Sequence, residues 1–536
     1  MPRMPTHDVS SLVAEAAVDR PEMLAVVESG GRSVTWGVLE DEVARVATGL
    51  GAAGLVAGQR AMVVMPNRIE FVTAYLGILR AQVVAVPVNP RSTAGELARM
   101  LADSGSRLVV ADSETIATVR DAVRLLRAAM AGETDELDQD ILERAHAPRV
   151  YVVGAEPGEG EQTYEALRAA APRPVPPLPD PEKLACLLYT SGTSGRPRAA
   201  MLTHRALIAN IDQAAEVEPP MIHGDDVVLG VLPLFHVYGL NAVLGGVLRH
   251  RAKLVLVERF DPQGALDLID DEAVSVVPVA PPVFAYWIGE EQLRERLGPV
   301  RLMLSGSAPL SPELVEEFTA LTGIPVHQGY GLTEASPIVT STLCSAHLQV
   351  GSVGAALPGL EIKLVDEHGH APENGDAGEI WVRGANLFSG YWPSGEDGPD
   401  AEGWWGTGDV GFLDDTGDLF LVDRLKELVI VSGFNVYPVE VEDVIREVEG
   451  VGEAAVIGVD DDRTGQAVVA YVVPGQGRSR ESVVAGVRDH CGVRLARFKQ
   501  PSRIEMVDEL PLTVTGKVQK GRLRGLERRR SLGLLE

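Results

Sequence analysis

The sequence predicts an α/β fold, with a large N-terminal domain of βαβ-type subdomains followed by a small mobile α+β domain. Three observations carry that prediction. Short β-branched runs alternate with helical patterns through most of the chain, a rhythm that implies a mostly parallel sheet with helices on both faces. One of those strands opens into a turn dense in hydroxyl residues and glycine, YTSGTSGRPRAAMLTHR (189–205). Near residue 410 the rhythm changes to hairpins and shorter helices. A chain of 536 residues with 45% apolar content can bury a large core in several domains.

Taken in order, AMVVMP (61–66) reads as a strand, RIEFVTAYLGILRA as a helix, VVAVPVN as a strand, TAGELARMLADSG as a helix and RLVVAD as a strand. The stretch 113–148 is helical and charged. APRPVPPLPDPEK (171–183) is a proline-rich strap that can neither pair in a sheet nor continue a helix. It delivers the chain to the strand LACLLYT and the hydroxyl-glycine turn, beyond which Thr203 is placed to cap the helix HRALIANIDQAA. Residues 227–248 run uncharged for long enough to span a bilayer, but Pro233, His236, Asn241 and four glycines interrupt them, so they read as strand, loop and buried helix. DDTGDLFLVD reads as a hairpin, followed by VIVSG, a helix VEVEDVIREV, strands AAVIGV and AVVAYVVP, a helix SRESVVAGVRDHC and a strand IEMV. The division is placed after residue 425, giving domains 1–425 and 426–536.

A formal charge of −28 argues against a nucleic-acid partner, since phosphate backbones attract basic faces. Three cysteines, Cys186, Cys344 and Cys491, stand far apart without a CxxC or clustered histidines, which fits a reducing compartment and no zinc site. The N-terminus MPRMPTHDVSSLVAEAA has no continuous apolar core of the signal-peptide kind, so a cytoplasmic location is expected, with no integral membrane segment. Homodimerisation and peripheral membrane contact stay open.

Strand, glycine-rich turn and helix start together make an anion site, because free backbone N–H groups and hydroxyls converge on one point. A Walker A loop would need GK[ST] after its second glycine; here RPRAA follows, so that reading fails. Taken alone, the turn is equally readable as a polar surface loop.

Five further segments accompany YTSGTSGRPRAAMLTH in fixed order: LSGSAPL (304–310), QGYGLTEASP (328–337), WWGTGDVG (404–411), DRLKELVIVSGFNVYPVEVE (423–442) and LPLTVTGK (510–517). In order and spacing they resemble the adenylate-forming superfamily, over essentially the whole chain and most closely the fatty acyl-CoA or aryl-CoA ligases. The resemblance implies that the anion is the triphosphate of ATP. Where the family loop ends PKG, this chain has Pro197, Arg198 and Ala199; arginine keeps the charge but is bulkier and less mobile.

The implied reaction transfers AMP from ATP onto a carboxylate, after which the thiol of coenzyme A displaces AMP. The first step joins two anions, so cations and alignment are required. The resemblance gives the nucleotide to Thr190, Ser191, Gly192, Thr193, Ser194, Gly195 and Arg198, to Ser307, Ala308 and Pro309, and to Gly329, Tyr330, Gly331, Leu332 and Thr333. Tyr330 would stack on adenine across from Ser307–Pro309, Thr333 would touch the α-phosphate, Glu334 would hold Mg²⁺, and Asp409 with Arg424 would bind the ribose. Lys517 would bridge carboxylate and α-phosphate during adenylation. Lys426 matches the hinge, and Ser432, Gly433 and Phe434 would line the pantetheine tunnel afterwards.

His236 invites a general-base role, but a carboxylate substrate is already ionised near neutral pH, and the resemblance makes it a gate beside the acyl site. Gly331 stands where acetate-specific relatives carry tryptophan, so the acyl pocket is expected to extend past it. At about 0.8 kcal/mol per buried methylene, eight extra carbons supply at most ~6 kcal/mol, enough for a medium- or long-chain fatty acid. Two alternatives remain: a fatty acyl-AMP ligase that loads a carrier protein, against which the compact segment 351–384 speaks, and a degenerate nucleotide-binding protein, supported only by Arg198. A solvated basic tail is the competing reading of KVQKGRLRGLERRR, which has seven basic residues and one acid.

Overall fold

A computed structural model describes residues 8–531 except 177, 179, 191–196, 309, 367, 373–375, 425–426, 432–433, 462–463, 476–478 and 514–515. It places the large α/β domain first and the small domain at the C-terminus. Two seven-stranded sheets form the large domain's body. One runs Gln162–Thr163, Arg149–Val153, Leu108–Asp112, Arg60–Val64, Val84–Pro87, Leu184–Thr190, Arg198–Thr203 across its width; its pairs are parallel except for the last. The other runs Val326–Gln328, Leu302–Ser305, Val276–Val279, Val227–Gly230, Lys253–Leu256, Leu24–Glu28, Ser33–Thr35, again with an antiparallel last pair.

Strands such as Val276–Val279 and Leu108–Asp112 are buried at every residue, as expected where helices cover both faces. One core joins the facing helices of the two sheets around Trp36, Phe71 and Tyr75; a second backs the first sheet around Leu101 and Leu126, and a third backs the other around Trp287 and an edge-to-face Phe284–Phe318 pair. The helix Ala94–Ser104 is delimited as its sequence implies, by a Thr93/Glu96 capping box and by Gly105 at φ 59°.

A four-stranded antiparallel sheet follows: Glu361–Val365, Gly378–Arg383, Trp404–Leu413 and Leu419–Arg424. The hairpin DDTGDLFLVD belongs to this sheet and lies before the division at 425. The small domain is a separate sheet of Val429–Val431, Phe434–Val436, Val451–Asp461, Gly465–Pro474 and Arg503–Met506, with its own core around Val441, Ile445 and Val487. Its last element, the helix Lys520–Ser531, replaces the solvated basic tail considered above. Leu523 is 2% exposed against Ile457 and Tyr471, and buried Lys520 pairs with Glu427 at 3.0 Å and Glu442 at 2.9 Å.

The uncharged stretch 227–248 resolves into the strand Val227–Gly230, a π-helix Tyr238–Gly245 and a helix Gly246–His250. Among the described residues no helix is long and apolar enough to cross a membrane.

Candidate active site

Parallel strands end with their carbonyl ends toward one side of the sheet, and loops leaving those ends make the crevice in which ligands bind. Here the loops after Leu302–Ser305 and Val326–Gln328 do so, and with the antiparallel sheet and the small domain they enclose a cleft of about 1830 Å³. Thr190, Pro197, Arg198, His236 and Ser307 line it, as do the run Gly329–Glu334, Asp409 and Lys517. Residues from six segments spread between positions 190 and 517 are thus brought together. Ala308 does not line the cleft. Ser191, Gly192, Thr193, Ser194, Gly195, Pro309, Lys426, Ser432 and Gly433 lie outside the described residues. Arg424 is placed by its backbone, directly opposite Asp409; Phe434 begins the strand Phe434–Val436.

The glycine-rich turn differs from expectation in its setting. Leu184–Thr190 and Arg198–Thr203 form an antiparallel hairpin with Thr190 opposite Arg198, so the turn joins two strands and not a strand and a helix. The helix His204–Ala215 starts only after the second strand, capped by Thr203 as its sequence indicates. No helix dipole therefore points into the turn from this element.

The motif QGYGLTE has a backbone reason for its glycines. Residues 330–332 fold flat against 337–340, with Leu332 N donating to Pro337 O (3.0 Å) and Val339 N to Tyr330 O (2.9 Å). A Cβ on Gly329 would fall 2.7 Å from Thr340 O, and one on Gly331 2.4 Å from Pro337 O. Gly331 therefore borders the cleft with its main chain, and a side chain there would strike backbone before it reached an acyl chamber. The expectation that Gly331 leaves an open side-chain slot is corrected on that ground.

Between the glycines, Tyr330 is 7% exposed and its hydroxyl donates to Asp409 Oδ2 at 2.6 Å. Asp409 sits in Trp404–Leu413 just after Gly408, whose φ of 72° turns the strand inward. Glu334 is the middle residue of a short 3₁₀ turn, Thr333–Ala335, and is 8% exposed. Its Oε1 accepts the Tyr391 hydroxyl at 2.6 Å. Burial and the adjacent Glu334 carboxylate hold the Tyr391 hydroxyl above its ordinary pKa, so it stays a donor.

His236 has its ring pKa pushed down to about 4, first by burial and then by the positive charge of Lys517. The Tyr238 N–H donates to His236 Nδ1 at 3.3 Å, which places the ring proton of the neutral form on Nε2. Lys517 closes the turn TVTGK: Thr513 N donates to Lys517 O at 2.7 Å, Gly516 takes φ 80°, and Lys517 N donates to Thr513 Oγ1 at 3.0 Å. The charge of a small-domain residue is thus felt by a large-domain ring across the cleft.

Sequence reasoning missed Tyr391, Asp397 and Gly246, all of which line the cleft. Tyr391 is legible only afterwards, as the aromatic in FSGYWP that pairs with the strand Arg198–Thr203.

A doubly sheeted α/β body with a cleft closed by a small domain, carrying a glycine-rich hairpin, an aromatic-carboxylate pair and a lysine from the small domain, is the layout of an adenylating enzyme. Comparison with known proteins agrees. Residues 13–392 match the family model described as AMP-binding enzyme, and residues 440–517 match the AMP-binding enzyme C-terminal domain. The 4-coumarate–CoA ligase-like 9 of Oryza sativa subsp. japonica is 34% identical over 95% of this chain and 90% of its own length. The long-chain-fatty-acid–CoA ligase of Bacillus subtilis is 30% identical over 97% and 94%. ATP-bound MatB from Rhodopseudomonas palustris superposes with a TM-score of 0.85 at 32% identity, covering 97% of this chain and 99% of that one. The chain belongs to the AMP-binding enzyme family, and it is an acid–thiol ligase of the AMP-forming type, which uses ATP to turn a carboxylic acid into an acyl adenylate and then an acyl-CoA.

Proposed function

We propose that the acid is a medium- or long-chain fatty acid. The observation that carries this is the apolar branch of the cleft. One face of the helical stretch from Tyr238 to His250 lines it, through Tyr238, Ala242, Gly246 and His250, together with Ile211, Ala214, Met221 and Ile222. The twelve steps from Tyr238 to His250 span at most about 18 Å, since the π-helical part rises less per residue than an α-helix. Apart from Asn241 and His250, that helical face offers an acyl chain only apolar or small side chains.

In this reading the carboxylate lies at the mouth of the branch, beside His236, Thr333 and Lys517. Adenine stacks against Tyr330 near Ser307, and the ribose hydroxyls take over the carboxylate of Asp409 now bonded to Tyr330. The hairpin 190–198 carries the β- and γ-phosphates and Thr333 the α-phosphate. The carboxylate oxygen attacks the α-phosphorus as pyrophosphate leaves; no proton need be removed, and a neutral His236 suits a gate better than a base. Lys517 supplies a fixed cation where the two anions meet.

Magnesium fits Glu334. Among the described residues no group of three or more His, Cys, Asp and Glu could hold a metal by itself. One buried carboxylate facing a phosphate site is what magnesium uses, since it takes few protein ligands and completes its shell with phosphate and water. Bound there, it would neutralise phosphate charge.

The second step follows a turn of the small domain about Lys426, after which Ser432, Gly433 and Phe434 would guide the pantetheine thiol to the acyl carbonyl, releasing AMP. The change of sheet between Leu419–Arg424 and Val429–Val431 supports a division at residues 425 and 426. The test is pyrophosphate release with ATP and CoA over a panel of dodecanoate, octanoate, 4-coumarate and benzoate. Dodecanoate is expected to give the highest kcat/KM; a tenfold preference for either aromatic acid would overturn the fatty-acid reading.

A further inference from the structure

Arg198 replaces the lysine of the family loop, and its guanidinium is engaged elsewhere than in the turn. Its carbon lies 3.8 Å from the centroid of the Tyr391 ring, and it pairs with Asp397 at 2.7 Å. The Tyr391 hydroxyl, on the far edge of that ring, donates to Glu334 Oε1 at 2.6 Å. Main-chain bonds tie the same parts together. Met201 N donates to Gly390 O, Ser389 N to Met201 O and Trp392 N to Ala199 O, so residues 389–392 are bonded along Arg198–Thr203 around a single antiparallel bridge, Ala200 with Tyr391. Phe388 N donates to Glu334 O at 2.9 Å and Asn386 Nδ2 to Ala335 O at 2.6 Å. The base of the glycine-rich hairpin and the buried Glu334 therefore share one rigid intermediary.

We propose that Tyr391 is a positioning residue that fixes the Glu334 carboxylate, and that Arg198 serves the phosphate site through Tyr391, held on its ring by Asp397, and not as a phosphate ligand. A cation on the ring face draws electron density from the ring and strengthens the hydroxyl as a donor. The hydroxyl then occupies one lone pair of Glu334 and fixes the orientation of its carboxylate beside the phosphate site. The proposal rests on the adenylating reading of the cleft and on Glu334 as its metal carboxylate.

The experiment measures ATP binding by calorimetry on the full chain without acid or CoA, as a function of Mg²⁺, together with Mn²⁺ binding in the presence of ATP by electron paramagnetic resonance. Tyr391→Phe keeps the ring, its Arg198 contact and its T-shaped packing on Phe388, so the fold is retained. It is expected to raise the metal concentration for half-maximal ATP binding about tenfold to 150-fold, the range for losing a hydrogen bond to a charged group, while metal-free ATP binding stays within about twofold. Arg198→Met is expected to move the metal dependence in the same direction. The double variant is expected to add little to Tyr391→Phe, because both act through one contact.

Unchanged metal dependence in Tyr391→Phe would overturn the positioning role. Additive effects, or a tenfold loss of metal-free ATP binding in Arg198→Met, would make Arg198 a phosphate ligand and overturn the coupling. Wild-type protein that bound no ATP at any metal concentration would instead remove the adenylating reading itself, and this inference with it.

Discussion

Gly246→Leu tests whether the apolar branch holds the acyl chain. Gly246 has helical dihedrals, φ −62° and ψ −43°, so the backbone accepts any residue there. A Cβ would meet only the end of the Ile222 side chain, at 2.8 Å from Cδ1, which can swing aside. Replacing glycine within a helix also recovers up to ~1 kcal/mol of helix propensity, so the melting temperature is expected to hold within a few degrees. Gly246 lies eight residues beyond Tyr238, at most about 12 Å along the helix, because the intervening π-helix rises less per residue than an α-helix. An extended chain advances roughly 1.3 Å per carbon, from tetrahedral C–C bonds of about 1.5 Å, so about nine carbons fit before the new side chain. Octanoate is then spared, and palmitate would have about seven carbons displaced. At ~0.8 kcal/mol each their full value is about 6 kcal/mol, of which rerouting of the chain recovers part. A fall of at least ~10²-fold in kcat/KM for palmitate relative to octanoate is expected, about 3 kcal/mol at 1.36 kcal/mol per tenfold. The assay is ATP- and CoA-dependent pyrophosphate release over even-numbered acids. A palmitate-to-octanoate ratio unchanged within threefold, in a variant that melts normally, would show that the chain does not pass Gly246.

Two further predictions concern the cleft and a third concerns a buried histidine outside it. Lys517→Ala is expected to slow adenylation by ~10²-fold or more, the scale for removing a preorganised charge, while acyl adenylate supplied ready-made is converted to thioester at near-normal rate; equal loss in both half-reactions would refute the division of labour. With its pKa near 4, His236 is neutral from pH 6 to 8, so the kcat/KM profile of His236→Asn should keep the wild-type shape there. An acid limb near pH 6.5 that disappears in the variant would restore the general-base role. His204 is 1% exposed with its pKa lowered to about 4 by burial, against an opposing Asp8 charge. The unfolded chain takes up a proton below about 6.5 that the folded one refuses, so stability falls as pH drops from 6.5 to 4, by on the order of 1–3 kcal/mol. His204→Leu should flatten that part of the slope, measured as the urea midpoint at pH 7 and 5.

Much of the fold was legible because its signals are local. The alternation from Arg60–Val64 through Leu108–Asp112 needs only periodicity, and the start of His204–Ala215 needs only Thr203 as a cap. What the sequence concealed is set by pairings across long separations. The turn at 191–196 looks like a strand-to-helix connection, because AAMLTH has no signal that distinguishes a second strand from the approach to a helix. Its strand character comes from two neighbours, Leu184–Thr190 on one side and residues 389–392 on the other. The upstream partner of the hairpin before Arg424, the strand Gly378–Arg383, was hidden for the same reason, because the two lie far apart in a stretch without periodic signal.

The candidate site divides along the same line. The motif residues were found because each motif is contiguous, and the resemblance supplied the roles. Gly331 shows the limit of that route, since a glycine can mark an open pocket or a backbone approached from behind, and only the Pro337 carbonyl at 2.4 Å from its absent Cβ decides. Arg198 shows it more sharply. Its departure from the family pattern was visible in the sequence, but its partners Tyr391 and Asp397 lie almost 200 residues away and belong to no motif. A substitution inside a motif is therefore explained here by residues outside every motif, and those residues touch Glu334, a carboxylate that a motif did identify. The measured metal dependence of Tyr391→Phe consequently bears on both kinds of residue at once: it asks whether the conserved-looking carboxylate works alone or only as part of the contact that Arg198 completes.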